Sequence, residues 1–148
     1  MITLRRSEPC DAEALLEIWR AAVDFSHDFL SPEDRAAIDP LVADYVRTSA
    51  LIVAMSDGAP AAFMGVTGAK IDSLFVDPRA WGLGIGRLMI EQVASPTTVE
   101  VNEQNGAALS FYRHLGFEVV GRSETDNEGR PYPLLHLRRD YRSSTNLP

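Results

Sequence analysis

The chain is 148 residues long, 45% hydrophobic and 24% charged, with 21 acidic residues against 14 basic and a formal net charge of −7. That length suits one domain with a proper core, and the acidic balance disfavours nucleic-acid partners while mildly favouring a cationic or amine-bearing one. Cys10 is the only cysteine, which excludes an intrachain disulfide or a cysteine-based metal site and suits a reducing cytoplasm.

The opening MITLRR alternates apolar and polar residues and predicts a first strand. It holds no apolar run of signal-peptide length, and nothing later approaches a membrane span. Asp11 is expected to cap a helix whose apolar stripe is Leu15, Ile18, Trp19, Ala22 and Phe25. HDFLSPEDR interrupts it, and Pro32 is well placed in the first turn of a second helix running to about Thr48. Two strands follow, joined by the turn SDGAP, then the strand IDSLFVDP, which Pro78 ends. After a glycine-rich loop comes a helix with Ile85, Leu88, Met89 and Val93 on one face. TTVEVN reads as a strand, and NGAALSFYRHLGF as a helix with Ala108, Phe111, Tyr112 and Leu115 on its stripe, stopped by Gly116. EVVGRS and PLLHLRR predict a closing hairpin, and the tail RSSTNLP a loose end. With no repeat and no low-complexity linker, a single domain over residues 1–148 is expected, of mixed α/β (α+β) class with helices on both faces of a sheet.

The loop DPRAWGLGIGRLM sets Gly82, Gly84 and Gly86 at every second position in front of a helix. Glycine permits close approach to the backbone, and a helix start offers unpaired N–H groups and the positive end of a dipole, so the pattern points to a bound anion such as a phosphate. A dinucleotide fingerprint would need glycine where Arg87 stands, and no Gly-Lys-Ser or Gly-Lys-Thr of a Walker loop occurs. The competing reading is a tight strand-to-helix connection, for which one glycine would suffice.

A second stretch narrows the choice. VEVNEQNGAALSFYRHLGFEVVGRS combines a strand, Asn105, an alanine-containing helix, Phe111-Tyr112 and Gly116-Phe117 leading into another strand. Together with LFVDPRAWGLGIGRLM upstream it resembles the GCN5-related N-acetyltransferases, the GNAT family, over most of the chain. The resemblance implies a central twisted, mostly antiparallel sheet of about six or seven strands, splayed at a cofactor cleft and flanked by about four helices. It also implies acetyl-CoA as cosubstrate and no metal. Leu74, Phe75 and Val76 would then take the pantetheine arm through main-chain hydrogen bonds, as an added strand would be taken. The pyrophosphate would rest on the N–H groups of Gly82, Leu83, Gly84, Ile85, Gly86 and Arg87. Trp81 departs from the family pattern, which has Gln or Arg there. Backbone contacts survive that change, with Trp81 stacked over the cosubstrate or packed on the surface and Arg79 as a substitute cation. Asn105 matches the asparagine that meets the pantetheine arm and equally suits a helix cap.

A lysine-type amine of pKa ~10.4 is neutral in about one molecule in a thousand at pH 7, so acetyl transfer to it profits from a base. Tyr112 matches the family tyrosine that meets the departing thiolate, although its place on the helix stripe also suits core packing. Ribosomal-protein N-terminal acetyltransferases of the family carry a glutamate base where Glu100 stands, and Asn102 lies on the same strand face. Another family position for a glutamate is occupied by Lys70, expected to form a surface pair with Asp72. The loop DFSHDFLSP corresponds to the acceptor side, which makes His27 and Phe29 candidates beside Asn102, with Tyr132 a further one. The acceptor implied is a primary amine: a protein lysine, a peptide N-terminus or a small molecule. The other reading kept open is a non-catalytic acyl-CoA-binding regulatory module. A hydrolase lacks a G-x-S-x-G elbow, and His27, His114 and His136 are too scattered in sequence to suggest a metal site. A cytoplasmic monomer or homodimer without membrane contact completes the expectation.

Overall fold

The computed structural model describes residues 1–26 and 29–140. Along the chain lie β1 (Ile2–Arg6), α1 (Ala12–Ser26), α2 (Pro32–Thr48), β2 (Ile52–Ser56), β3 (Ala59–Thr67), β4 (Lys70–Val76), α3 (Ile85–Ile90), β5 (Thr97–Asn102), α4 (Gly106–His114), β6 (Glu118–Ser123) and β7 (Leu134–Arg139). The mixed α/β class and the mostly antiparallel pairing agree with the expectation, with seven strands and four α-helices among the described residues. Two compact units can be distinguished, Met1–Val66 with Ser73–Gln92, and 67–72 with 93–140.

In the first unit β1 runs antiparallel to β2, from Ile2 opposite Ser56 to Arg6 opposite Ile52, and β2 runs antiparallel to β3. Asp57 and Gly58 both take positive φ, 52° and 86°, the conformation a two-residue hairpin turn requires. Leu15, Ile18, Trp19 and Val23 of α1 close over Val46, Leu51, Val53 and Phe63. Two expectations fail here. Phe25 is 68% exposed, and Val23 takes the place expected for it in the core. Asp11 does not cap α1. It ends a turn of 3-10 helix, Pro9–Asp11, where its buried carboxylate takes two guanidinium N–H groups of Arg5 at 2.8 Å each and the N–H of Glu8 at 2.7 Å. Two guanidinium N–H groups outcompete a single backbone N–H for the same carboxylate. Helix α2 behaves as read: Ser31 Oγ accepts from Asp34 N–H at 3.1 Å, with Pro32 in the first turn.

The second unit pairs the start of β4 in parallel with β5, Lys70 opposite Thr98 and Ile71 opposite Val99. β5 then runs antiparallel to β7 from Thr97 opposite Arg139 to Asn102 opposite Leu134. β7 pairs antiparallel with β6, with a register shift between Val119 and Gly121. Thr97, Val99 and Val101 are buried, while Thr98, Glu100 and Asn102 are half-buried on the other face. Of the α4 stripe, Tyr112 is buried and Ala108, Phe111 and Leu115 are half-buried; Gly116, at φ 97°, ends the helix. Helix α3 is shorter than expected, so Val93 lies beyond its end.

Gly65 of β3 shows how closely the first unit is fitted. Its N–H donates to Ser73 Oγ at 3.1 Å, and Ser73 shares a 2.8 Å hydrogen bond with the Tyr45 hydroxyl of α2. A Cβ at 65 would overlap that hydroxyl and come within 2.9 Å of Ser73 Oγ. Gly65→Ala is therefore expected to destabilise the protein by on the order of 1–3 kcal/mol. Urea unfolding measures this, and Tyr45→Phe in the same background should recover part of the loss.

Candidate active site

The glycine loop of the first unit starts at Asp77, which ends β4. Its N–H donates to Ala61 O at 2.8 Å, and its carboxylate accepts from Arg79 N–H at 2.9 Å, starting a short 3-10 turn, Pro78–Ala80. Trp81 then folds back so that its indole N–H donates to Val76 O at 2.9 Å, and its ring meets Phe25 edge to face with centroids 4.9 Å apart. Of the two placements expected for Trp81, packing on the surface agrees with this geometry: the indole is 43% exposed. The same contact gives the exposed Phe25 a partner.

Gly82 and Gly84 take φ of 83° and 79°, where a side chain would strain the backbone, and a Cβ at either would meet nothing within 4 Å. Backbone conformation thus explains these two glycines, and the space beside them is open. Gly86 differs in being a buried residue within α3. Ile85, Met89 and Ile90 anchor that helix in the core, while Leu83 and Arg87 are exposed. The N–H groups of Ile85, Gly86 and Arg87 fall in the first turn, where an α-helix supplies no carbonyl partner. Leu74, Phe75 and Val76 are half-buried, Phe75 with its ring 5.6 Å from that of Phe63. Phe29 is half-buried; His27 lies outside the described residues.

In the second unit Glu100 is a hub. Its Oε1 accepts from Asn127 Nδ2 at 3.1 Å and lies 3.6 Å from Lys70 Nζ; its Oε2 is 3.1 Å from His136 Nδ1. His136 Nε2 is in turn 2.6 Å from Ser123 Oγ. The expected Lys70–Asp72 pair is not formed. Lys70 turns to Glu100 across the sheet, and Asp72 accepts from Thr67 Oγ1 at 2.6 Å. A diagonal neighbour on the adjacent strand is as near as the residue two along, and here it carries the opposite charge. Asn102 shares the face of Glu100, as alternation requires.

Tyr112 is buried, its ring 5.2 Å from both Phe111 and Phe117 in edge-to-face contacts. Burial pushes the phenol pKa up, so it stays protonated across the physiological range. Asn105 caps α4, Oδ1 accepting from Ala108 N–H at 3.1 Å. Tyr132 is a buried core residue. Sequence reading missed His136, Ser123 and Asn127. Only the pairing of β5 with β7 and of β7 with β6 brings them to Glu100, and no local pattern announces that. Among the described residues no group of histidine, cysteine and carboxylate side chains could hold a metal, and no helix is long and apolar enough to cross a membrane.

Comparison with known proteins shows the family. The acetyltransferase (GNAT) domain family matches residues 47–119. The chain is 47% identical over 141 residues to the peptidyl-lysine N-acetyltransferase YjaB of Salmonella typhimurium, covering 93% of this chain and 97% of that protein. It is 43% identical to YjaB of Escherichia coli, covering 93% and 96%. The solution structure of apo YjaB from Escherichia coli superposes with a TM-score of 0.90, covering 93% of this chain and 97% of that one.

Asp77 sets the start of the glycine loop, and its charge can be tested apart from its capping oxygen. The Arg79 side chain, hydrogen-bonded to it, holds the Asp77 carboxyl below the usual carboxylate range, against an opposing effect of burial. A depressed folded-state pKa stabilises above the unfolded value and is lost as pH falls through the folded one. Asp77→Asn keeps an acceptor for Arg79 N–H. It should lower the urea midpoint at pH 7, and the difference from wild type should close as pH is taken below 4.

Proposed function

We infer the reaction from one premise: the chain belongs to the GNAT family of acetyltransferases. It is an acyltransferase, and its acceptor is the side-chain amine of a lysine in a peptide or protein, attacked directly while both substrates are bound. The observation that carries this reading is 47% identity to a peptidyl-lysine N-acetyltransferase along nearly the whole of both chains. The net charge of −7 suits a cationic acceptor.

Acetyl-CoA supplies the acetyl group activated as a thioester. The open space beside Gly82 and Gly84 and the first-turn N–H groups of α3 suit its pyrophosphate, with Arg87 close along the chain. The main chain of Leu74, Phe75 and Val76 suits the pantetheine amides. Trp81 offers an exposed ring face where the family carries Gln or Arg. Asn105 contributes by holding the start of α4, and Phe29, Asn102 and His27 belong to the acceptor side.

Tyr112 meets the leaving sulfur. A thiol of pKa ~8.5 leaves as a thiolate that needs a donor. A phenol whose pKa burial has raised keeps its own proton and stabilises that sulfur by a hydrogen bond. Glu100 supports removal of the acceptor's proton.

A thiol-release assay with acetyl-CoA and a panel of lysine peptides, N-terminal peptides and polyamines tests this. Lysine peptides should turn over, and Tyr112→Phe should lower kcat by on the order of tenfold or more. Acetyl-CoA binding without turnover on any amine would restore the reading of a regulatory binding module. Binding itself should be visible optically. Trp19 is buried beneath Arg35, so a change in tryptophan emission on adding CoA should come from Trp81 and disappear in Trp81→Gln.

A further inference from the structure

The hub at Glu100 is organised in a way its assignment as a simple base does not explain. Both carboxylate oxygens have close partners: Asn127 donates to Oε1, Lys70 Nζ lies 3.6 Å from the same atom, and His136 Nδ1 lies 3.1 Å from Oε2. An incoming ammonium would have to share that carboxylate with all three. His136 is arranged differently. A carboxylate at 3.1 Å from Nδ1 favours the tautomer that carries its proton there, which leaves the Nε2 lone pair facing the Ser123 hydroxyl at 2.6 Å. The imidazole lies over Gly121 of β6, where a Cβ would come to 3.5 Å of Cδ2, and the side chain is one-third exposed. Carboxylate, imidazole and hydroxyl therefore stand in line on β5, β7 and β6, the order in which triads relay a proton from a hydroxyl to a base.

We propose that His136 is the proton acceptor of the transfer reaction, reached through Ser123 and oriented by Glu100. The acceptor ammonium loses an N–H bond as an O–H bond forms at Ser123 Oγ. Ser123's own O–H breaks as an N–H forms at His136 Nε2. A neutral amine and an imidazolium result, and no other reactant is needed. Glu100 is the positioning residue, and its charge supports the imidazolium. Lys70 on β4 moderates that charge, Arg122 on β6 is held by Glu103 and Glu124, and in the β6–β7 connection Asp126 pairs with Arg130. The proposal rests on the acetyl-transfer reading.

The test is the pH dependence of kcat/KM with acetyl-CoA and a lysine peptide, for wild type, His136→Gln, Glu100→Gln and Ser123→Ala. It is accompanied by nitrogen NMR of the imidazole, which needs no turnover. Wild type should show an acid limb and a spectrum with the proton on Nδ1. His136→Gln should abolish the limb and lower kcat by about a hundredfold with KM for acetyl-CoA unchanged. Glu100→Gln should move the limb to lower pH and lose the tautomer preference, and Ser123→Ala should lower kcat with the limb retained. A limb that survives in His136→Gln and vanishes in Glu100→Gln would overturn the proposal and make Glu100 the direct base. Acetylation of Ser123 would overturn it in favour of a serine nucleophile. Absence of turnover with every amine in wild type would overturn the acetyl-transfer reading, and this proposal with it.

Discussion

Two strands that run side by side in the same direction cannot be joined by a tight turn. β4 and β5 are parallel, so the chain between Val76 and Thr97 has to travel back before it can pair again. Everything that suggests anion binding lies in that return. Asp77 leaves β4 tied to Ala61 O, Trp81 folds back onto Val76 O, and Gly82 and Gly84 take the left-handed turns that aim the chain into α3. The crossover has to bend sharply and then start a helix, and a bend built from glycines in front of a helix start is the geometry an anion fits. One topological requirement thus produces both the fold's connection and the loop proposed to hold the anion.

The remaining chemistry depends on antiparallel register. Glu100 meets Lys70, Asn127 and His136 because β5 has β4 on one side and β7 on the other, and Ser123 follows because β6 pairs with β7. Gly121 stands opposite His136, and even a Cβ there would meet the imidazole only at ordinary van der Waals distance, 3.5 Å from Cδ2. Slipping any of these pairings by one residue would turn the side chain to the opposite face and dissolve the cluster. The half-burial of Glu100 matters as well. The Asn127 hydrogen bond and the nearby Lys70 and His136 side chains offset a charge that would otherwise be costly to shield from water, while the edge toward solvent stays open.

Legibility in the sequence followed the range of the interaction. Period and punctuation are local, so the strands, the α2 start at Ser31–Pro32 and the stop at Gly116 could be read directly. Gly82 and Gly84 announced themselves because only glycine sits comfortably at positive φ. Phe25 was misread because helical periodicity says which side a residue faces and cannot say where the covering core ends; Trp81, 56 positions later, supplies the surface partner. Asp11 was misread because a guanidinium from β1 competes for its carboxylate. Lys70 and His136 were placed by cross-strand neighbours, which a one-dimensional pattern does not contain. The family resemblance pointed to Glu100, Tyr112 and Asn105 for the same reason a local pattern could not: it carries pairing information from other chains. What each of those three does here still rests on chemistry.

Trp81 shows why a departure from the family pattern need not disable the loop. Most of what this loop can offer an anion is main-chain N–H, whose direction is set by φ and ψ at Gly82 and Gly84 and by the helix that follows. A Gln or Arg side chain would add a contact to that set, whereas an indole removes the contact and leaves the backbone as it was. The indole also brings something of its own. By donating to Val76 O and lying against Phe25, it ties the end of β4 and the end of α1 to the loop through one rigid ring. A side chain with two rotatable bonds loses little entropy in doing so. The change replaces a polar side chain with a rigid tie, and the backbone proposed to hold the anion gains from being held still.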